Sequence, residues 1–157
     1  MRAVIQRVRT AFVSVEGTVV GEIDRGLLVY VGVQTGDGEQ DVTYAATKIS
    51  GLRVFPDERG TMNLALADLE PNTGETVGIL AVSQFTLHGD LRKGRRPSYN
   101  AAATPDVARA LYESLVRSWR LAGIEVAIGV FGAHMDVTYT NDGPVTLLLD
   151  TRDRRLR

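Results

Sequence analysis

Apolar positions alternate through the opening of the chain: Ala3, Ile5 and Val8, then Phe12, Val13 and Val15 around Ser14. A period of two marks half-buried strands, so two β runs are expected here. Gly17-Thr18 turns the chain into 19–23, and Asp24-Arg25-Gly26 turns it again. The next run, 27–33, is apolar at nearly every position, which suits a strand buried on both faces. Past Gly36-Asp37-Gly38 the period changes. Val42, Ala45, Ala46 and Ile49 recur at helical spacing, and Gly51 is a stop, predicting a helix over 41–50. A short strand is expected at 52–55, closed by Pro56-Asp57, then a turn-rich stretch over 58–76 and an apolar strand over 77–85. Thr104 suits an N-cap, Pro105 the first helical position and Asp106 the positive end of the helix dipole. Ala108, Leu111, Tyr112, Leu115, Trp119 and Ala122 continue that helix as an apolar stripe to Gly123. Strands are expected at 124–131, 135–140 and 145–149.

This order predicts an α/β chain with strands in excess and two main helices. Two helices cannot cover both faces of so large a sheet. A second sheet layer or a partner subunit must cover the rest. The 157 residues fit a single domain, taken as 1–151 with an arginine-rich, mobile tail at 152–157. Cysteine is absent, which excludes disulfides, thiolate metal sites and thiol catalysis. The apolar alternation at the N-terminus, broken by Arg2, Arg7 and Arg9, is not a signal peptide. No apolar run approaches the roughly 20 residues that span a bilayer. A cytoplasmic protein with no membrane partner is expected. The formal net charge of −1 confines any nucleic-acid contact to a local basic patch.

Candidate chemistry is sparse. His134 and Asp136 share a strand face, but a zinc site needs three or four ligands, so no metal is expected. Neither dinucleotide nor P-loop glycine patterns occur, and no cofactor is expected. Ser83 lacks the G-x-S-x-G elbow of a serine hydrolase, and His88 nearby in sequence does not make a triad. Three segments stand out. In 82–87 a buried strand ends in Ser83, Gln84 and Thr86, and strand ends are where sites are built. Asn141-Asp142-Gly143-Pro144 reads as a strong turn sequence, with a Gly-Pro bond that can be cis. Between them, Arg92, Lys93, Arg95 and Arg96 place four cations in five positions, a patch suited to phosphates or simply a solvated loop.

Taken in order, these segments resemble the D-aminoacyl-tRNA deacylase family. The resemblance rests on 1–8, Leu52-Arg53-Val54-Phe55, Met62-Asn63-Leu64, Ser83-Gln84-Phe85-Thr86-Leu87, 92–97, Phe131-Gly132-Ala133 with Met135, and Asn141-Asp142-Gly143-Pro144-Val145-Thr146. The departures are a longer 70–76 loop and the arginine-rich tail. The resemblance implies a three-layer β/β/α fold with mostly antiparallel strands, as a homodimer. It implies hydrolysis of the ester of D-aminoacyl-tRNA, and of mischarged glycyl-tRNA, as chiral proofreading in translation. Ser83, Gln84, Phe85 and Thr86 would carry the reaction. Gly143 and Pro144 of the other subunit, joined by a cis bond and braced by Arg7, would exclude L-substrates, because carbonyls packed there admit hydrogen but not carbon. Phe131 would line the pocket for the 3′-terminal adenosine, Gly132, Ala133, Met135 and Thr146 would join in substrate binding and chiral selection, and Arg92, Lys93, Arg95 and Arg96 would lie on tRNA.

Two routes to hydrolysis stay open. Thr86 acts as nucleophile or activates water, although no base adjoins it in sequence. Alternatively, backbone N–H groups near Phe85-Thr86 hold the oxyanion and the ribose 2′-OH assists. The second route is preferred. A non-catalytic RNA-binding dimer is the main rival function.

Overall fold

The computed structural model describes residues 1–156, with side chains through Arg154. The two expected opening strands are one, β1 (Arg2–Val15), followed by β2 (Thr18–Ile23) and β3 (Arg25–Gly32). Helix α1 (Glu39–Ser50) precedes a small pair, β4 (Phe55–Pro56) and β5 (Met62–Leu64). Then come β6 (Val77–Ser83), α2 (Pro105–Leu121), β7 (Glu125–Ile128) and β8 (Asp136–Asp150). Short 3-10 turns occupy Leu66–Asp68, Phe85–His88 and Thr151–Leu156. Among the described residues, no helix is long and apolar enough to cross a membrane.

The main sheet runs β2-β1-β3-β6-β7, with β8 on the other side of β1. β1 is antiparallel to β2, β3 and β8, whereas β3, β6 and β7 are parallel. The expectation of mostly antiparallel strands is therefore corrected to a mixed sheet. Its cause is in the connections: α1 lies between β3 and β6, and α2 between β6 and β7. A helical crossover returns the chain to the same end of the sheet, which makes neighbouring strands parallel.

The central strands β3 and β6 are covered on both faces. Leu27, Val29, Val31, Ile79 and Ala81 pack with Val42, Ile49, Leu115 and Trp119 of the helices. The Trp119 indole N–H donates to the Ala46 carbonyl at 3.1 Å and ties α2 to α1. Leu28, Leu80 and Val82 face the other way, against Val8, Ala11, Val13 and Ile23. The sheet curls so that β1 and β2 form the second layer. Gly21 of β2 comes so close to the Ile128 backbone that a Cβ there would overlap it. This sheet-on-sheet core answers the coverage problem posed by having only two helices. Each fully buried Leu or Ile in these cores contributes about 1.5–3 kcal/mol.

A second correction concerns 141–146, which the turn chemistry predicts as a hairpin between two strands. Instead β8 continues through it, paired with β1 on both sides: Val8 opposes Asn141, and Gln6 opposes Thr146. Residues 142–145 thus bulge out opposite the single residue Arg7. A long β1 templates both halves of β8, so the turn residues are absorbed as a bulge rather than a reversal.

The chain end is tied down through Arg154. Arg152 pairs with Asp150, and Arg154 reaches Asp41 at 2.8 Å. Asp41 is buried and also accepts from Thr151 at 2.6 Å. Burial pushes its carboxyl up, but the Thr151 hydroxyl, the Gly38 N–H and neighbouring cations outweigh that and hold it below the usual carboxylate range. Arg157 lies outside the described residues.

Candidate active site

β6 ends at Ser83, and the chain tightens at once into the 3-10 turn Phe85–His88. The Gln84 N–H donates to the Val31 carbonyl at 2.7 Å, pinning this reversal to the end of β3. From below, Arg2 donates to the Leu87 carbonyl at 2.9 Å. His88 is buried against the Gly32 backbone, and neither ring nitrogen makes a well-formed hydrogen bond among the described residues. Burial pushes its imidazole down, opposed by the Gly32 backbone and Asp37 and aided by Arg2 and the Met1 ammonium. His88 is therefore no partner for Ser83; it is packing beneath the turn.

Beside this turn opens a cavity of about 290 Å³. Ser83, Gln84 and Phe85 line one side, and Phe131, Gly132, Ala133, His134 and Met135 another. Ala108 and Tyr112 of α2 and Val31, Val33, Val82 and Val137 complete it. Tyr112 reads from the sequence only as part of an apolar stripe. Its hydroxyl donates to the Ala81 carbonyl at 2.9 Å, and burial pushes its phenol up, so the group stays neutral. A buried tyrosine needing a hydrogen-bond partner is the signal that could have found it. His134 lines the cavity, yet among the described residues no group of three or more His, Cys, Asp or Glu is placed to hold a metal ion. The cavity wall is mostly apolar and, among the described residues, carries no carboxylate, ammonium or guanidinium.

At the rim, the Gln84 amide donates to the Thr86 hydroxyl at 2.6 Å. Thr86 is exposed, and Phe85 beside it is stacked edge-on against Tyr99 at 5.1 Å. The Phe131 ring lies between Tyr112, 6.1 Å away, and the Arg109 guanidinium, 4.6 Å from the ring centre.

The remaining expected residues form a separate group on the β1–β8 edge. Arg7 is buried, pairs with Asp142 at 2.9 Å and donates to the Val54 carbonyl. Asn141 donates to the carbonyls of Arg7 at 2.9 Å and Val145 at 3.0 Å. The Thr146 hydroxyl accepts from Gln6 and donates to Asn141. Gly143 has φ 122°, and a Cβ there would sit 2.8 Å from Val145 and 3.2 Å from Arg7. The Gly143–Pro144 bond is cis, and both residues are exposed. None of Arg7, Gly143, Pro144 and Thr146 lines the cavity of the same chain. The basic loop is a third group. Arg92 is engaged by Asp90 at 2.7 Å, which holds that carboxyl down at about 2. Lys93, Arg95 and Arg96 are exposed, with no carboxylate within 4.0 Å among the described residues.

Comparison with known proteins bears on this arrangement. A "D-aminoacyl-tRNA deacylase" of Thermosipho africanus is 55% identical over 152 residues, covering 97% of this chain and 98% of that one. One of Thermus aquaticus is 53% identical, covering 98% and 97%. A solved structure of a "c-Myc DNA Unwinding Element Binding Protein" superposes with TM-score 0.85 at 36% identity, over 96% of this chain and 98% of that one. A structure described as a probable eukaryotic D-amino acid tRNA deacylase shares the fold, with TM-score 0.73 at 18% identity over 94% and 97%. Residues 4–150 match the D-Tyr-tRNA(Tyr) deacylase family, and the chain belongs to it.

Proposed function

We propose that this chain hydrolyses the ester between a D-amino acid and the 3′-terminal adenosine of tRNA, sparing L-aminoacyl-tRNA. The observation that carries this reading, beside family membership, is the split between two groups of residues. Ser83, Gln84 and Phe85 share one recessed, mostly apolar cavity with Phe131–Met135, while Gly143 and Pro144 stand outside it on a braced, exposed edge. In a homodimer one subunit's edge closes its partner's cavity. Among the described residues the outer edge of β8 pairs with no strand, and Leu148 of β8 is 82% exposed, features that favour burial against a second copy.

Water adds to the ester carbonyl carbon. The N–H groups that open the 85–88 turn have no acceptor within it and face the developing oxyanion. The bond to the ribose 3′-oxygen then breaks, and that oxygen takes a proton by way of the neighbouring 2′-OH. Thr86 accepts a hydrogen bond from Gln84 and has no adjacent base, which favours this route over attack by its own hydroxyl. Carbonyls at 143–144 leave room beside the substrate Cα for hydrogen alone, so glycyl-tRNA also passes. Lys93, Arg95 and Arg96 bind tRNA phosphates.

The test is hydrolysis of matched D-Tyr-tRNA and L-Tyr-tRNA by the native chain and by Gly143→Ala, whose Cβ would push against Val145 and Arg7. The expected result is clearance of the D-ester alone by the native chain, and lost activity or selectivity in the variant. A folded dimer that cleaves neither ester would overturn the reading. The 36%-identical neighbour, a DNA-unwinding-element binding protein by name, favours a second reading, nucleic-acid binding without turnover. Tight tRNA binding with no ester loss would establish it.

A further inference from the structure

We infer that Arg109 is a binding site for a backbone phosphate of the tRNA acceptor end. The inference rests on the deacylase reading for its substrate. Among the described residues the cavity wall carries no lysine or arginine, so it offers a phosphate no partner inside. A nucleoside at the end of an RNA brings a phosphodiester with it, and that anion must lie at the cavity's rim. Arg109 is the cation already there. It follows Ala108, which lines the cavity, and its guanidinium rests 4.6 Å from the centre of the Phe131 ring, which lines it too.

The side chain is exposed, and no carboxylate lies within 4.0 Å of it among the described residues. Asp106 and Glu113, about one helical turn to either side, leave it unpaired. Stacking on Phe131 holds the planar fork at one place without consuming its N–H donors. Most surface arginines are either paired with a carboxylate or free to sweep solvent. This one is both unpaired and positioned, which is the state that recognises phosphate by two parallel hydrogen bonds. Arg109 stands beside the Phe131 side of the cavity, whereas no residue of the basic loop at 92–96 lines it.

The experiment compares D-tyrosyl-tRNA with D-tyrosyl-adenosine, which keeps the ester and the terminal nucleoside but has no phosphate. Arg109→Met keeps an unbranched stem over Phe131 and removes the charge. It should raise KM for D-tyrosyl-tRNA by about tenfold, the usual worth of one charge-assisted contact. The KM for D-tyrosyl-adenosine should shift by under about twofold, since a lost phosphate contact does not affect a substrate that has no phosphate. The salt dependence of log KM for the tRNA ester should flatten by about 0.7, the share of one single-strand phosphate. Arg109→Lys should recover part of the tRNA affinity. Equal loss on both substrates would make Arg109 a mere support for Phe131 and overturn the inference, as would no change on either. If the native chain cleaves neither ester, the deacylase reading is what has failed. Arg109 is then judged by direct binding, where Arg109→Met must weaken uncharged tRNA and leave adenosine unchanged.

Discussion

The cavity beside β6 and the bulged edge of β8 are built on opposite principles. The cavity is a gap between α2 and the ends of β3 and β6, walled largely by apolar side chains with few hydrogen bonds among them. It can accept several shapes. The edge is over-determined: Arg7 is fixed by Asp142 and the Val54 carbonyl, and Asn141 ties Arg7 to Val145 across the bulge. It can accept only one shape. The difference teaches where discrimination should reside. A receptive cavity cannot by itself reject one enantiomer of an amino acid, because an apolar pocket separates close analogues by only about 1–3 kcal/mol. A rigid backbone surface can reject by overlap.

Breaking the edge should therefore cost more than trimming the cavity rim. The largest effect is expected from Arg7→Met, which keeps an unbranched stem, takes the donor from the Val54 carbonyl and leaves Asp142 with only the exposed Arg9. We expect about 1–3 kcal/mol of lost stability in chemical denaturation. Where the variant still folds, the ratio of D- to L-ester hydrolysis should drop. Retained selectivity at reduced stability would show that the edge does not select.

Thr86→Ala should be milder. It removes a hydroxyl that accepts one exposed hydrogen bond from Gln84, so the fall in kcat for D-Tyr-tRNA should stay under about tenfold. A nucleophile or base would cost about 10²–10⁴-fold, and that result would assign the chemistry to Thr86 after all.

The smallest effect is a slope. Burial holds the folded His88 imidazole below its ordinary value of 6.5, so as pH falls the unfolded chain takes up the proton first. The stability that neutral His88 contributes is full above about pH 6.5 and drains away as pH drops from there toward the folded-state value. Hydrogen exchange between pH 7.5 and about 5 should show the 84–88 turn loosening before the 141–146 bulge. His88→Asn should flatten the trend, and uniform loosening of both segments would deny that His88 underpins the cavity alone.

Much of this is legible in the chain itself. The two helices follow from period and capping chemistry, which are local: Thr104-Pro105 opens α2, and Gly51 terminates α1. The run at 27–33, apolar at nearly every position, announces a strand buried on both faces, and the apolar run at 77–85 announces a second strand that in the fold ends at Ser83. The site segments are legible as polar residues where a buried strand should have ended. Other features belong to contacts between residues far apart in sequence. That 141–146 is a bulge and not a turn depends on β1 lying alongside both halves of β8. That β3, β6 and β7 run parallel depends on where the helices cross. Tyr112 and Arg109 look like ordinary helix residues until Phe131 is set beside them. The sequence by itself determined which residues want to be buried and which turns want to form, since those are preferences of short stretches of chain. Only the tertiary structure decided which strand neighbours which, and so which surfaces meet at the cavity, because pairing is settled by the joint burial of distant segments.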